Sequence, residues 1–169
     1  FEINFSAVNS DWTTAKGLTG KGAIRTTDFV RIVVGDNFRL SGITILSDVQ
    51  EGLSLIGTVD INTKSTYASG LVIDSVVAKN ECSIDSNANI LAIRIEGFDK
   101  PVYSKVVVLR GTFWQTGCLG FSLTNSVIDA DNAGAQNPTV NWAGSDCIKC
   151  TLGSYGTIGD VVLLNSGRD

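Results

Sequence analysis

Histidine is absent from all 169 residues, and that absence removes a wide band of chemistry. Ser-His-Asp and Cys-His catalysis, histidine-ligated zinc or haem and an ordinary imidazole base all need that side chain. Two carboxylates are enough for glycoside hydrolysis. Yet Glu2, Glu51, Glu81 and Glu96 are scattered, and most aspartates adjoin Gly, Asn or Ser, where turn chemistry is the simplest use. The expectation is a protein that is not an enzyme, with a carboxylate-based hydrolase as the remaining catalytic alternative.

Other shortages narrow the class further. Methionine is missing too, which leads to the expectation of a chain trimmed from a precursor, most simply by removal of a secretory signal. Strong helix formers are few (4 Glu and 3 Gln), and charged residues make up only 18% of the chain, so neither a helical bundle nor a disordered tail fits. The net charge is −4, and Arg25, Arg31, Arg39, Arg94 and Arg110 each stand alone, which leaves no basic stripe for nucleic acid. Aliphatic runs stop at strand length, as in Val106–Leu109, far short of the roughly 20 residues of a membrane helix.

What the chain does hold is β-forming. Valine, isoleucine and threonine contribute 17, 15 and 15 residues. Phe1 to Ala7 alternates apolar and polar without a break, the pattern of a half-buried strand. Further strands are expected over Phe29–Val34, Phe38–Leu46, Leu53–Ile61, Leu71–Ala78, Ile90–Ile95, Tyr103–Trp114, Phe121–Ile128 and Val161–Leu164, with a short one around Val140 and Trp142. Gly35-Asp36-Asn37 reads as a hairpin turn between the first two of these, and Gly57 as a bulge. No Pro/Ser-rich linker divides the chain. The reading is all-β: one domain over residues 1–169, a β-sandwich or jelly roll of roughly ten strands. The runner-up is a β-solenoid, because Leu-x-Gly recurs at Leu18, Leu40, Leu55 and Leu109. Successive offsets of 22, 15 and 54 residues argue against the constant period a solenoid needs.

Several residues invite a functional reading. Cys82, Cys118, Cys147 and Cys150 are an even set, expected as two disulfides, with Cys147–Cys150 and Cys82–Cys118 the favoured pairing. A redox or zinc use of Cys147-Ile-Lys-Cys150 is the lesser reading, because no second knuckle exists and poor helix material follows. Asp129 and Asp131 open a loop resembling the start of a calcium site, although Ala133 stands where a third ligand belongs. An Asx-rich turn explains the same residues, as one does for the weaker loop Asp85–Asn89. Asn4-Phe5-Ser6 fits a glycosylation acceptor. Trp12, Trp114 and Trp142 are candidates for a sugar platform, with Trp114 expected in the core.

The strand at residues 1–8, followed by a polar connection over 9–22, fits donation to a neighbouring subunit, with Phe1, Ile3 and Phe5 as the inserted side chains. Pairing within its own domain is the commoner arrangement. The functional expectation is a secreted, extracellular structural subunit, a homopolymer forming a filament, sheath or surface layer. The alternative is a monomeric carbohydrate- or surface-binding module, with a glycan as partner. No cofactor is expected beyond calcium.

Overall fold

The computed structural model describes residues 2–4, 23–26, 30–47, 51–57, 67–80, 90–130 and 146–166. Among them there is no helix, and every strand pair is parallel. The chain winds in successive coils, each laid on the one before. The first coil holds β1 (Glu2–Asn4), β2 (Ala23–Thr26) and β3 (Val30–Val33), and the second β4 (Arg39–Ser41), β5 (Thr44–Ser47) and β6 (Glu51–Ile56). The third comprises β7 (Ala68–Ser69), β8 (Val72–Asp74), β9 (Val77–Asn80) and β10 (Leu91–Glu96). The fourth has β11 (Phe98–Asp99), β12 (Val102–Ser104), β13 (Val107–Leu109) and β14 (Thr112–Thr116). Then follow β15 (Leu119–Asp129) with β16 (Ile148–Thr151), and finally β17 (Tyr155–Leu164).

Strands of like position pair from coil to coil and so build three limbs. The first runs β1-β4-β8-β12-β15, the second β2-β5-β9-β13-β15, and the third β3-β6-β10-β14-β16. Both halves of β15 pair with β17, which closes the first two limbs. This is a parallel β-solenoid, and the all-β expectation holds. The sandwich does not, because a sandwich rests on antiparallel hairpins and none occurs among the described residues. The expected hairpin at Gly35-Asp36-Asn37 is instead a corner: β3 pairs with β6 while β4 pairs with β1 and β8.

Stacking of like on like makes the core. In the first limb Leu40, Ile73, Tyr103, Leu123 and Ile158 follow one another in register. In the second the column is Ile45, Ala78, Val108, Ile128 and Leu163, and in the third Leu53, Ile93, Phe113 and Ile148. Period-2 alternation aims each of these inward, as the buried/half-buried pattern of β5 and β9 shows. Tyr103 and Phe113 meet edge to face across the interior, their ring centroids 5.1 Å apart.

The corners are as regular as the columns. Between the first and second limbs the backbone takes positive φ at Gly42 (65°), Ser75 (55°), Lys105 (53°), Asn125 (49°) and Asp160 (54°). One left-handed residue bends the strand, and the ladder continues through it, with Ser75 N donating to Ser104 O at 2.9 Å. Phe38–Leu46 and Tyr103–Trp114, each expected as one strand, are therefore broken by such corners. Gly57 is also a corner and no bulge: a Cβ there would stand 2.6 Å from the carbonyl oxygen of Gly97.

Candidate functional site

The last described coil, β17, differs from the coil before it in one respect. Leu123 and Ile128 are fully buried, whereas Ile158 and Leu163, next in the same columns, are 51% and 52% exposed. Tyr155, Val162 and Leu164 of the same strand are exposed as well. Among the described residues β17 pairs only with β15, so its outer edge carries backbone donors and acceptors with no strand beside them. An apolar row beside an unfilled hydrogen-bonding edge is the chemistry of strand addition.

At the opposite end, β1 pairs with β4 of its own chain, Ile3 in register with Leu40. The strand expected as a donor is thus at home in its own solenoid. Phe1 and Phe5 lie outside the described residues, as do the whole connection 9–22 and the glycosylation motif beyond Asn4, which ends β1.

Cys118, Cys147 and Cys150 are free thiols, and the Cys147–Cys150 bridge is not formed. Geometry explains this. Three steps along nearly extended chain span about 10 Å, beyond the roughly 4.4–6.8 Å between bridged Cα atoms. Cys147 is buried, its thiol donating to Leu164 O at 3.3 Å, while Cys150 is exposed in β16 beside Gln115 of the previous coil. Cys82 lies outside the described residues. Burial pushes the Cys118 thiol up to about 11 and raises Cys147 and Cys150 as well, so none carries the depressed pKa of a reactive thiolate.

Cys118 belongs to a polar knot inside the coil. Tyr103 Oη donates to Gln115 Oε1 at 2.9 Å, and the Cys118 thiol reaches Ile95 O at 3.5 Å. Burial, reinforced by neighbouring Cys118, raises the Tyr103 phenol well above its usual value. Gln115 Nε2 is buried with no hydrogen-bond partner.

Trp114 is not in the core but half-buried on the outer face of the third limb. Arg94 precedes it and Lys149 follows it in register, their cationic groups 4.5 and 5.2 Å from the ring centroid. Its indole N–H donates to Thr151 Oγ1 at 3.0 Å, and Arg94 also pairs with Glu96 at 2.9 Å. Cations from the coils before and after thus take up the ring, where a sugar platform needs an open face. Sequence reading missed this column although Arg94 and Trp114 stand one coil apart. Trp12 and Trp142 lie outside the described residues.

Asp129 ends β15, half-buried, its Oδ1 accepting from Asn165 Nδ2 at 3.0 Å. Asp131 and the Asp85–Asn89 loop lie outside the described residues. Among those described, no three His, Cys, Asp or Glu side chains converge as a metal site would require, and no helix is long and apolar enough to cross a membrane. No family model matches this chain, and neither a curated protein nor a solved structure does.

Proposed function

We propose that this chain is a structural subunit of an extracellular filament, sheath or surface layer, with copies added end to end along the solenoid axis. The observation that carries this reading is the half exposure of Ile158 and Leu163 in columns that are otherwise closed, beside the unfilled edge of β17. A second copy continues the columns in register. Its β1 lies along the first half of β17 and brings Ile3 to Ile158; its β2 lies along the second half and brings Ile24 to Leu163.

Among the described residues the sixth coil has no third-limb strand, so the first two limbs make this contact. Burying each large side chain contributes roughly 1.5–3 kcal/mol, against several kcal/mol of lost rigid-body freedom. The backbone ladder adds the remainder and fixes direction. In this form β1 keeps β4 on one side and takes a neighbour's β17 on the other, so donation does not require it to leave its own chain.

The composition supports a durable, non-catalytic scaffold: there is no histidine, and four of the described acids, Asp36, Asp74, Glu96 and Asp129, are engaged by Ser69, Arg39, Arg94 and Asn165. The carbohydrate-binding alternative rests on Trp12 and Trp142, since Trp114 is enclosed by its two cations. Negative-stain electron microscopy with light scattering tests the proposal. The parent chain should form rods of constant width that lengthen with concentration, and Ile158→Asp should stop them at short particles. A monomer at millimolar concentration overturns it.

A further inference from the structure

The side of the solenoid carries a second pattern, independent of the open end. Outward residues of the first limb are mixed: Val72 and Val102 stand among Arg39, Asp74, Ser104 and Thr124, and Arg39 and Asp74 are 3.6 Å apart. The outer face of the second limb is different. One column there reads Thr44, Val77, Val107, Val127, Val162. The column beside it reads Leu46, Lys79, Leu109, Asp129, Leu164. Apart from Thr44, Lys79 and Asp129 both columns are aliphatic, half-buried as far as β15 and exposed at Val162 and Leu164, an extended apolar face of the kind that marks a contact.

The order of the second column identifies the occupant. It reads apolar, cation, apolar, anion, apolar, with Leu109 at its centre. A two-fold axis running along the strands through the β13 level reverses the order of the coils and keeps each column facing itself. Lys79 of one copy then meets Asp129 of the other, twice. Leu46 meets Leu164, Leu109 meets Leu109, and in the first column Val77 meets Val127 around Val107. A two-fold axis along the solenoid exchanges the columns instead and sets Lys79 against Val77 and Asp129 against Val127, so neither charge gains an opposite charge across the contact. The bond from Asn165 Nδ2 holds the Asp129 carboxylate in place. Lys105, exposed on the corner bordering this face, stands at the rim, where its long stem takes the ammonium to water.

The geometry points to an isologous dimer in which two copies of this chain pack face to face and antiparallel through the second limb, with reciprocal Lys79–Asp129 ion pairs fixing the register. The contact does not use the ends of the solenoid, so it stands or falls apart from end-to-end growth. Sedimentation of the full chain carrying Ile158→Asp isolates it. That background should sediment as a dimer. Lys79→Glu or Asp129→Lys alone sets like charges together and should weaken the dimer about tenfold or more, consistent with the coupling measured for close interfacial charge pairs. The double reversal should restore the dimer, which a merely structural role for either residue would not do. A monomer in the Ile158→Asp background, single reversals that leave dimerisation unchanged, or a double reversal that fails to rescue it each overturns the inference. Rods from the parent chain together with a monomeric Ile158→Asp background leave end-to-end growth standing and this face unused.

Discussion

Tyr103 and Gln115 show how one buried polar pair is held in an otherwise apolar interior. The phenol donates to the amide oxygen, and the amide nitrogen finds no acceptor. Removing the hydroxyl alone orphans the second end of the amide, so Tyr103→Phe should cost about 1–2 kcal/mol in chemical denaturation. Adding Gln115→Leu replaces both polar partners by apolar groups and should recover most of that loss. A double variant less stable than Tyr103→Phe alone contradicts this account of the knot. Cys118 beside them ties stability to pH. Its thiol titrates near 11 in the folded chain against an ordinary value of 9, because burial disfavours the thiolate. The folded state therefore holds a proton that the unfolded state releases between those values. The stabilisation is complete below pH 9 and fades as pH rises through 11, by roughly 2–3 kcal/mol. Melting temperature should fall over this window in the parent and less steeply in Cys118→Ala; parallel curves for the two would exclude Cys118 as a source. Tyr103, raised by the same burial, extends the decline to higher pH.

At the scale of single elements, the strands were legible and their connections were not. The strands expected over Phe38–Leu46, Ile90–Ile95 and Phe121–Ile128 overlap β5, β10 and β15, where an inward apolar residue recurs at every second position because one face is buried. The corners were hidden for a chemical reason. A left-handed residue is usually glycine, but the column Gly42, Ser75, Lys105, Asn125, Asp160 uses glycine once. Nothing in Tyr103–Trp114 announces that Lys105 and Arg110 both bend the chain. Among the described residues Leu-x-Gly did mark corners, but three different ones: Gly42 joins the first and second limbs, Gly57 the third and first, and Gly111 the second and third, while Leu18–Gly20 lies outside them. Their offsets could not be regular. The true period appears where nothing is inserted, as between Ile93 and Phe113, Val102 and Ser122, and Val107 and Val127, 20 residues in each case. The left-handed backbone at Lys105 makes substitutions there unequal. Valine there places a β-branched side chain in the left-handed region and should lose about 1–2 kcal/mol, while glycine should stay within about 0.5 kcal/mol of the parent. Equal losses for Lys105→Val and Lys105→Gly in urea titrations would mean that the side chain, and not its φ, matters at this corner.

For the molecule as a whole, a solenoid's stability is a sum over neighbouring coils, so position along the axis decides how firmly each strand is held. The fourth coil is covered on both sides, and its Tyr103, Val106, Val108 and Phe113 are fully buried. Among the described residues β17 has a strand, β15, on one side only. Opening it breaks one ladder and exposes side chains already half wet, whereas opening β13 breaks two ladders and empties the core. Local opening free energies should therefore rise from β17 inward, and hydrogen exchange resolves them. Amides of β17 that donate to β15 should exchange sooner than those of β12 and β13, and amides on its outer edge soonest of all. The same measurement distinguishes the two contacts argued above. End-to-end growth buries the outer edge of β17 and should protect those amides as concentration rises. Lateral pairing covers side chains of the second limb without adding a ladder, and should leave the outer-edge amides exchanging as before. Protection of β17 that appears with rod length, and is lost in Ile158→Asp, is the result expected of a solenoid that grows by its end. Outer-edge amides that stay unprotected while rods form would place the growing contact elsewhere on the molecule.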